Sequence, residues 1–505
     1  MTELSRRGFI AALALLGAMP SLARGQAAGA QPPEIRGTLA YTVLDPATGR
    51  VLAEQLGDMP MPPASTLKTV TALYALDRLG AEHRFPTRVI RAGNTLILAG
   101  GGDPVLDTDA LAALALRTAA QHEALGLPAP TGFLVWGGAL PRVARLDPSQ
   151  AEHLPYNPTI SGMMLNFNRV HLDWRRGAEG YQMSLQARGR KLSPRAYTIS
   201  AAPVSRPAPV FAYDGGSARE SWTLARGAMG RAGSRWLPVR RPELYAGDVF
   251  QTLCRAKGLV LPNPVAVELL PEGDEIARHD SPPLREIVAG MMEYSTNLTA
   301  EAIGLAASGA ADLPASAAAM AGWLNGQRIA GDFRFRDHSG LSPENAMTSN
   351  GLARAIATIG ARQDLRGVMK RIPFVDARGK PVASSIRVAA KTGTLNFVSN
   401  LAGYAQEADG RMLIFVIFGA DLPRHEVSRG QELPEGVIDW TRRAKAAQQG
   451  LLEAWFAQEI DHYAIPQLDN LPPDDPLRAL IVPAGRAAYE ITPGAILEAG
   501  RLRRD

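Results

Sequence analysis

Alternating apolar and polar residues indicate β-strands near both ends of the chain. Residues 36–56 alternate around Asp45-Pro46-Ala47-Thr48-Gly49, a turn-rich segment that predicts a β-hairpin. The alternation returns late in the chain, where Asp409-Gly410 closes a second hairpin, and it covers residues 386–391, 397–406 and 412–418. Because hairpins from opposite ends of a chain can pair side by side, we expect these strands to share one sheet.

Two segments have the pattern of helices that can cover this sheet. The first is apolar, follows Pro62-Pro63 and stops at Gly80, an arrangement that suits the beginning and end of a helix. The second, residues 440–456, has helical composition. Between the two halves, residues of about 86–280 carry mixed strand and loop signals, which indicate a long insertion.

The composition is that of a globular chain with more than one core. The chain has 505 residues, of which 46% are hydrophobic and 20% charged, enough for two to four domains. A mean hydropathy of -0.07 excludes a polytopic membrane protein and a wholly disordered chain. The net charge is +5, but the arginines are dispersed, so we expect no nucleic-acid partner. Cys254 is the single cysteine, which excludes an internal disulfide.

The two ends of the chain have compositions unlike the rest. Residues 1–23 predict a signal peptide: Arg6-Arg7 precede an apolar run that is too short for a stable anchor, and small residues stand near Ala23. The paired arginines are typical of a twin-arginine signal, and an ordinary Sec signal is the alternative. We therefore expect an exported, extracytoplasmic protein without a transmembrane anchor. Residues 458–505 are Pro- and Asp-rich at first and are interpreted as a C-terminal extension.

The first candidate catalytic motif is Ser65-Thr66-Leu67-Lys68, at the start of the helix predicted after Pro63. Positions i and i+3 of a helix share a face, so the Lys68 amine can lie beside the Ser65 hydroxyl. A serine hydroxyl is a poor nucleophile until a base takes its proton, and a lysine is a base only when neutral. Burial and the positive end of the helix dipole both favour the neutral amine. A Ser-x-x-Lys match alone also arises by chance.

Two further motifs lie downstream. Lys391-Thr392-Gly393-Thr394 falls on a predicted strand, where Lys391 and the threonine hydroxyls offer a cation and donors to a substrate carboxylate. Gly393 within a strand allows a ligand backbone to approach the strand edge. The alternative is an exposed edge lysine beside β-favouring threonines. Ser295-Thr296-Asn297 follows the helical stretch 284–294, and it gains meaning only from its place between the other two motifs.

In this order along the chain, the three motifs resemble those of the penicillin-recognising serine enzymes, which are penicillin-binding proteins and serine β-lactamases. The long separation of the first two motifs resembles the class C low-molecular-mass penicillin-binding proteins, the D-alanyl-D-alanine carboxypeptidase/endopeptidase family. The resemblance covers about residues 31–457. Other segments that match are Gly101-Gly102-Asp103-Pro104, Tyr156-Asn157-Pro158, Leu165-Asn166, Asp337-His338-Ser339-Gly340-Leu341-Ser342 and Leu401-Ala402-Gly403-Tyr404. One departure is His338, where the family usually has glycine.

The resemblance implies an α+β fold. Its core is a penicillin-recognising serine transpeptidase-like domain, an antiparallel five-stranded sheet covered by helices, with two nested inserted smaller domains. The implied catalytic domain comprises residues 31–85 and 281–457. The implied inserted domain II comprises residues 86–113 and 200–280, and inserted domain III comprises residues 114–199.

The resemblance also implies a role for each motif residue. Ser65 is the acylated nucleophile and Lys68 its base. Ser295 passes the proton to the departing D-alanine, and Asn297 holds Lys68 or the substrate amide. Lys391 supplies a positive field, while Thr392, Gly393 and Thr394 form the substrate-binding strand. The backbone N–H groups of Ser65 and Thr394 form the oxyanion hole.

These roles imply a serine DD-peptidase that acts on peptidoglycan stem peptides in the periplasm and is inhibited by β-lactams. No metal and no cofactor are implied, and the oligomeric state and the balance between carboxypeptidase and endopeptidase activity stay open. A serine β-lactamase or esterase of the same superfamily is the first alternative, although no Glu-x-x-Leu-Asn motif is present to activate a hydrolytic water. An exported, non-enzymatic peptide-binding protein is the second, and such a protein has little use for Ser65 beside Lys68.

Overall fold

The computed structural model describes residues 36–216 and 219–457. The chain begins with strands β1 (Thr38–Leu44) and β2 (Val51–Gln55), followed by helix α1 (Leu67–Leu79). The long middle part contains, in chain order, β3 (Pro86–Ala92), β4 (Thr95–Gly100), α2 (Thr108–Ala124), β5 (Gly132–Trp136), β6 (Arg169–Gly177), β7 (Gly180–Gln186), β8 (Ile199–Val204), β9 (Phe211–Asp214), β10 (Glu220–Ala225), β11 (Ala232–Pro238), α3 (Pro242–Arg255), β12 (Val265–Val267) and β13 (Asp274–Asp280).

The last part of the chain is mostly helical until its final strands. It contains α4 (Leu284–Tyr294), α5 (Asn297–Ser308), α6 (Leu313–Gly326), β14 (Phe333–Arg334), β15 (Ala346–Met347), α7 (Ser349–Ala355), α8 (Leu365–Val368), β16 (Lys370–Ile372), β17 (Arg387–Leu395), β18 (Val398–Gln406), β19 (Met412–Ala420), α9 (Leu422–Val427) and α10 (Val437–Ala457).

One antiparallel sheet joins the two ends of the chain in the order β16-β17-β18-β19-β1-β2. Strand β1 pairs with β19, which confirms that the first hairpin and the last strands share a sheet. The expected five strands are present, and the short strand β16 adds a sixth at the edge beside β17. The sequence does not predict β16 because its three residues are too few for alternation to be recognised.

Helices cover both faces of this sheet because alternate strand residues point to opposite sides. On one face, Leu44 and Phe418 pack with Leu73 of α1 in a large core that also takes in residues of α4 to α7. On the other face, Val43 and Phe415 pack with Trp455 of α10. This is the α+β arrangement predicted from the sequence, with the start of α1 placed under strand β17.

The middle part of the chain builds smaller sheets and a core of its own. A five-stranded sheet has the order β12-β5-β4-β3-β13, and two three-stranded sheets have the orders β11-β6-β7 and β8-β10-β9. Strand β5 lies in the range 114–199 that the resemblance gives to domain III, yet it pairs with β4 in the range of domain II. The domain boundaries therefore stay a prediction, and this pairing favours an inner domain that begins after β5.

Some of the sequence predictions fall beyond the region just described. The predicted signal peptide 1–23 and the C-terminal extension 458–505 lie outside the described residues. Within residues 36–216 and 219–457, none of the helices combines the length and apolar character needed to cross a bilayer. In the same residues, no three His, Cys, Asp or Glu side chains are grouped as metal ligands. Cys254 is buried in the core of the middle part and is a free thiol.

Candidate active site

Ser65 and Lys68 lie together where the chain enters helix α1. Residues Ala64–Thr66 form a 3₁₀ turn that continues directly into α1. Lys68 is therefore one helical turn beyond Ser65, and its Nζ atom is 3.0 Å from the Oγ atom of Ser65. Lys68 is 0% exposed. The amine is thus held away from solvent and in direct contact with the serine hydroxyl.

Lys68 is held by two further groups from distant parts of the chain. Its Nζ atom donates to Oδ1 of Asn297 at 2.9 Å and to the backbone carbonyl of Ser339 at 2.6 Å. Asn297 can reach it because Ser295, in the left-handed region at φ 57°, ends helix α4 and Asn297 begins helix α5. The Ser-x-Asn motif thus serves as the corner between two helices. Three oxygen atoms, from Ser65, Asn297 and Ser339, therefore hold the Lys68 amine in place.

Lys391 faces the same cleft from strand β17. Its Nζ atom donates to Oγ of Ser295 at 2.8 Å and to the carbonyl of Thr392 at 2.8 Å. Strand β16 pairs with β17 only at Val388–Ala390, so in the described part of the chain no strand pairs with that edge from Lys391 to Leu395. An extended peptide can add to such an edge by main-chain hydrogen bonds.

The structure explains why position 393 is a glycine, for a reason that the sequence did not indicate. A Cβ atom built at Gly393 would lie 2.8 Å from the carbonyl oxygen of Pro63, 3.0 Å from the N atom of Thr66 and 3.1 Å from the N atom of Ser65. The space that this glycine leaves is thus filled by the turn that carries Ser65. Any larger residue would push strand β17 away from the nucleophile.

A buried carboxylate positions the loop that holds Lys68. Glu301 on α5 accepts hydrogen bonds from the backbone N–H groups of His338 and Ser339, at 2.9 and 3.0 Å. Asp337 accepts from the N–H groups of Gly340 and Ser342, both at 2.6 Å. Burial raises the pKa of Glu301, and the charge of Asp337 adds to this rise. The Asp337–Ser342 segment is therefore fixed by side chains, and it presents the Ser339 carbonyl to Lys68.

His338 is fully buried in the same loop. Its Nε2 atom is 2.7 Å from Oγ of Ser316, and its Nδ1 atom is 3.3 Å from Sδ of Met320. Burial lowers the pKa of His338 to about 3, so the imidazole is neutral at physiological pH. Its ring fits because residue 304 is glycine: a Cβ atom there would lie 2.3 Å from the ring. The departure from the family's usual glycine at position 338 is thus matched by a glycine on α5.

The long insertion also reaches the site. The Nδ2 atom of Asn297 donates to the backbone carbonyl of Tyr156 at 3.0 Å. The amide of Asn297 is thereby oriented with its oxygen toward Lys68. Sequence reasoning noted Tyr156 and Ser339 only as parts of matching segments, since a backbone carbonyl leaves no mark in the residue type. It missed Glu301, although a carboxylate inside the apolar run Leu298–Leu305 is a usable signal.

The three motifs meet in one cleft, because Lys68 contacts Ser65 and Asn297 while Lys391 contacts Ser295. Serine enzymes that recognise penicillin share this set of motifs. Residues 26–443 match the model of the D-Ala-D-Ala carboxypeptidase 3 (S13) family. The chain belongs to that family.

The chain is similar over most of its length to named carboxypeptidases of other bacteria. It is 26% identical to a D-alanyl-D-alanine carboxypeptidase of Actinomadura sp. (strain R39), over 80% of this chain and 84% of that protein. It is 27% identical to carboxypeptidase DacB of Mycolicibacterium smegmatis, over 82% of this chain and 80% of that protein.

Among solved structures, penicillin binding protein 4 (dacB) of Haemophilus influenzae has a similar fold. The TM-score is 0.64 at 18% sequence identity, and the match covers 83% of this chain and 97% of that chain. The same protein complexed with a β-lactam matches with a TM-score of 0.63 at 20% identity, over 82% of this chain and 96% of that one. The expected fold class is confirmed.

Proposed function

We propose that this chain is a serine-type D-Ala-D-Ala carboxypeptidase/endopeptidase that works through an acyl-enzyme on Ser65. The observation that carries the proposal is the position of Lys68, whose amine lies within hydrogen-bond distance of both the Ser65 hydroxyl and the Asn297 amide oxygen. A buried amine beside a serine hydroxyl is what activation of that serine requires. Family membership and the names of the relatives support the same reaction.

In the acylation step, Oγ of Ser65 attacks the carbonyl carbon of the penultimate D-Ala while its proton moves to the neutral amine of Lys68. The carbonyl π bond becomes an oxyanion, which the backbone N–H groups of Ser65 and Thr394 stabilise. Gly393 supports this arrangement, because the close approach that it permits brings strand β17 against the Ser65 turn.

The tetrahedral intermediate then collapses. The bond between the carbonyl carbon and the nitrogen of the terminal D-Ala breaks, and Ser295 donates its hydroxyl proton to that nitrogen. Ser295 recovers a proton from Lys68, so the proton taken from Ser65 leaves with the amine. Lys391, 2.8 Å from the Ser295 oxygen, stabilises the negative charge that develops there and attracts the substrate carboxylate together with Thr392 and Thr394.

Water then cleaves the acyl-enzyme by the same route in reverse, which restores Ser65 and releases a shortened peptide. When the leaving group is free D-Ala, the activity is that of a carboxypeptidase. When it is the amine of a second stem peptide, the activity is that of an endopeptidase. A β-lactam imitates the D-Ala-D-Ala amide, and its leaving group stays tethered after acylation. The substrate class is accordingly peptidoglycan stem peptides, with β-lactams as inhibitors, in the periplasm.

The test is incubation of the purified protein with a labelled penicillin, followed by peptide mapping and an assay for released D-Ala. We expect the label on Ser65, none on a folded Ser65→Ala variant, and release of D-Ala from a D-Ala-D-Ala peptide. Label on another residue would contradict the assignment of the nucleophile. Rapid turnover of penicillin without D-Ala release would favour the β-lactamase alternative.

A further inference from the structure

Two segments from distant parts of the chain meet beside the cleft. The Nε2 atom of His153, in the long insertion, lies 3.4 Å from Oε2 of Glu432, in the segment that follows α9. Arg235 on strand β11 donates from Nη2 to Oε1 of the same carboxylate at 2.9 Å. We call His153, Arg235 and Glu432 the clasp. It connects the insertion to the catalytic part of the chain.

Further contacts support the clasp both within the insertion and in the segment that carries Glu432. The His153 ring stacks on Phe211, with 5.0 Å between ring centroids and 22° between planes, and the Arg235 guanidinium lies 4.9 Å from the same ring. Hydrogen bonding from His153 lowers the pKa of Glu432 to about 2, and the charge of Arg235 contributes. A Cβ atom at Gly430, which has φ 74°, would lie 3.1 Å from the Ser149 carbonyl oxygen. The backbones of the two segments therefore approach closely next to the clasp.

Each side of the clasp is tied to a catalytic motif. On the insertion side, Tyr156 stands three residues after His153, and its carbonyl accepts from Asn297. On the other side, Nδ2 of Asn396 donates to the carbonyls of Gln431 and Ser428, at 2.8 and 3.3 Å. Asn396 stands two residues after Thr394 on the chain. A continuous path of contacts and short chain segments thus runs from Asn297 through the clasp to the end of strand β17.

The direction of the substrate decides which end of the cleft is closed. In the proposed mechanism the leaving D-Ala lies toward Lys391, and the reacting carbonyl lies at the N–H group of Thr394. The acyl part of the substrate therefore runs past Thr394 toward Asn396, whose side chain is held by the segment that carries Glu432. The clasp stands at the acyl end.

We propose that the clasp is a specificity determinant that closes the acyl end of the cleft and selects stem peptides whose acyl part is unbranched. A stem peptide whose side chain carries a second peptide needs room at this end, and it has to displace the clasp. The proposal rests on the proposed function. It predicts how the ratio of kcat/KM for two substrates changes. Ser65 attacks both substrates in the same way, so its role as nucleophile is tested separately.

The test compares Glu432→Ala with a matched control, Glu426→Ala. Glu426 lies on α9 near Glu432, and its carboxylate pairs with Arg429 of its own segment, 2.6 Å away. Both variants are assayed for kcat/KM on an acylated lysyl-D-Ala-D-Ala tripeptide and on the same tripeptide with a second peptide on the lysine side chain. Acylation by penicillin and the thermal midpoint are measured in parallel.

We expect Glu432→Ala to raise kcat/KM about fivefold on the branched substrate and to leave the short substrate, penicillin acylation and Glu426→Ala unchanged. Fivefold corresponds to about 1 kcal/mol, at 1.4 kcal/mol per factor of ten, the upper range for exposed ion pairs. Equal change on both substrates, no change on either, or a loss on the branched one would overturn the clasp proposal. Absence of penicillin label on Ser65 of the wild type would instead overturn the proposed function.

Discussion

The Nζ atom of Lys391 lies 2.8 Å from the Oγ atom of Ser295, although 96 residues separate the two in the chain. Lys391 is 1% exposed, and its ammonium also donates to the carbonyl of Thr392. These two hydrogen bonds hold the cation in one position, so its charge acts at a fixed place between strand β17 and the end of α4. In the proposed mechanism, that place is where the substrate carboxylate binds.

The first prediction tests this placement. Lys391→Ala should reduce kcat/KM for peptides with a free C-terminal carboxylate by at least about tenfold more than for a neutral thioester without one. The reason is that the lost cation attracts the carboxylate, which the thioester lacks. Steady-state kinetics on the two substrates measure the difference. Equal losses on both would indicate that Lys391 acts mainly through Ser295.

The second prediction concerns the base. Lys68→Arg keeps the positive charge, but a guanidinium stays protonated and cannot take the proton of Ser65. We expect acylation by penicillin to fall by about a hundredfold or more, as is typical for loss of a general base. Labelling rates on folded protein, checked by circular dichroism, give the answer. Near-normal acylation would remove Lys68 from the mechanism.

Elements with a strong local pattern could be predicted from the sequence. The two hairpins, the helix after Pro63 and the final helix appear close to their predicted positions, because alternation, a proline and a glycine mark them locally. The middle part could not be resolved in the same way. Its short strands pair both in parallel and antiparallel, as β5 does with β4 and β3 does with β13, so strand partners depend on contacts between residues far apart in sequence.

The site shows the same division. The side chains of Ser65, Lys68, Ser295 and Lys391 belong to motifs whose residue types indicate their chemistry. The groups that hold these side chains in place include the backbone carbonyls of Ser339 and Tyr156, which every residue possesses. The close contact of Gly393 with the Ser65 turn likewise appears only when strand and turn are placed together.

The third prediction is a double-mutant cycle between Gly304 and His338. Gly304→Ala should destabilise the protein by about 1–3 kcal/mol, because the new methyl group overlaps the buried imidazole ring. In a His338→Gly background the ring is absent, and the same substitution should become neutral or stabilising. Denaturant unfolding of the four proteins gives the coupling. Additive effects would show that the loop moves away from α5 without cost.

The fourth prediction is a pH dependence of stability. Burial lowers the pKa of His338 from 6.5 to about 3, so the unfolded chain binds a proton in this interval that the folded protein does not. The contribution of His338 to stability should therefore fall as the pH is lowered from 6.5 toward 3, by up to about 1.4 kcal/mol per pH unit. The free energy of unfolding of the wild type minus that of His338→Gln, measured from pH 7 to pH 4.5, reports this directly. His122→Gln, on α2, controls for the loss of a histidine, and a pH-independent difference would contradict the assignment.

The last prediction concerns a residue of the insertion that touches no catalytic side chain. Arg240 is 9% exposed, and its guanidinium donates to the carbonyls of Asn157 at 2.8 Å, Glu152 at 2.7 Å and Ala144 at 3.3 Å. These bonds fix the segment that ends in Tyr156, whose carbonyl accepts from Asn297. Arg240 is thus a positioning residue for the amide that orients Lys68.

Arg240→Met should slow acylation of Ser65 by penicillin about tenfold, because a small displacement of a positioned group costs one to two orders of magnitude in rate. The KM for a D-Ala-D-Ala peptide should change little, since Asn297 and Lys68 act on the reacting atoms and the carboxylate is held by strand β17. Stopped-flow acylation on folded protein, with the thermal midpoint measured alongside, separates this from unfolding. Arg188→Met, at an exposed arginine that pairs with Asp173 in the same insertion, is the matched control and should acylate normally. An Arg240→Met protein that unfolds earlier but acylates at the normal rate would show that the Tyr156 carbonyl keeps its position without the arginine.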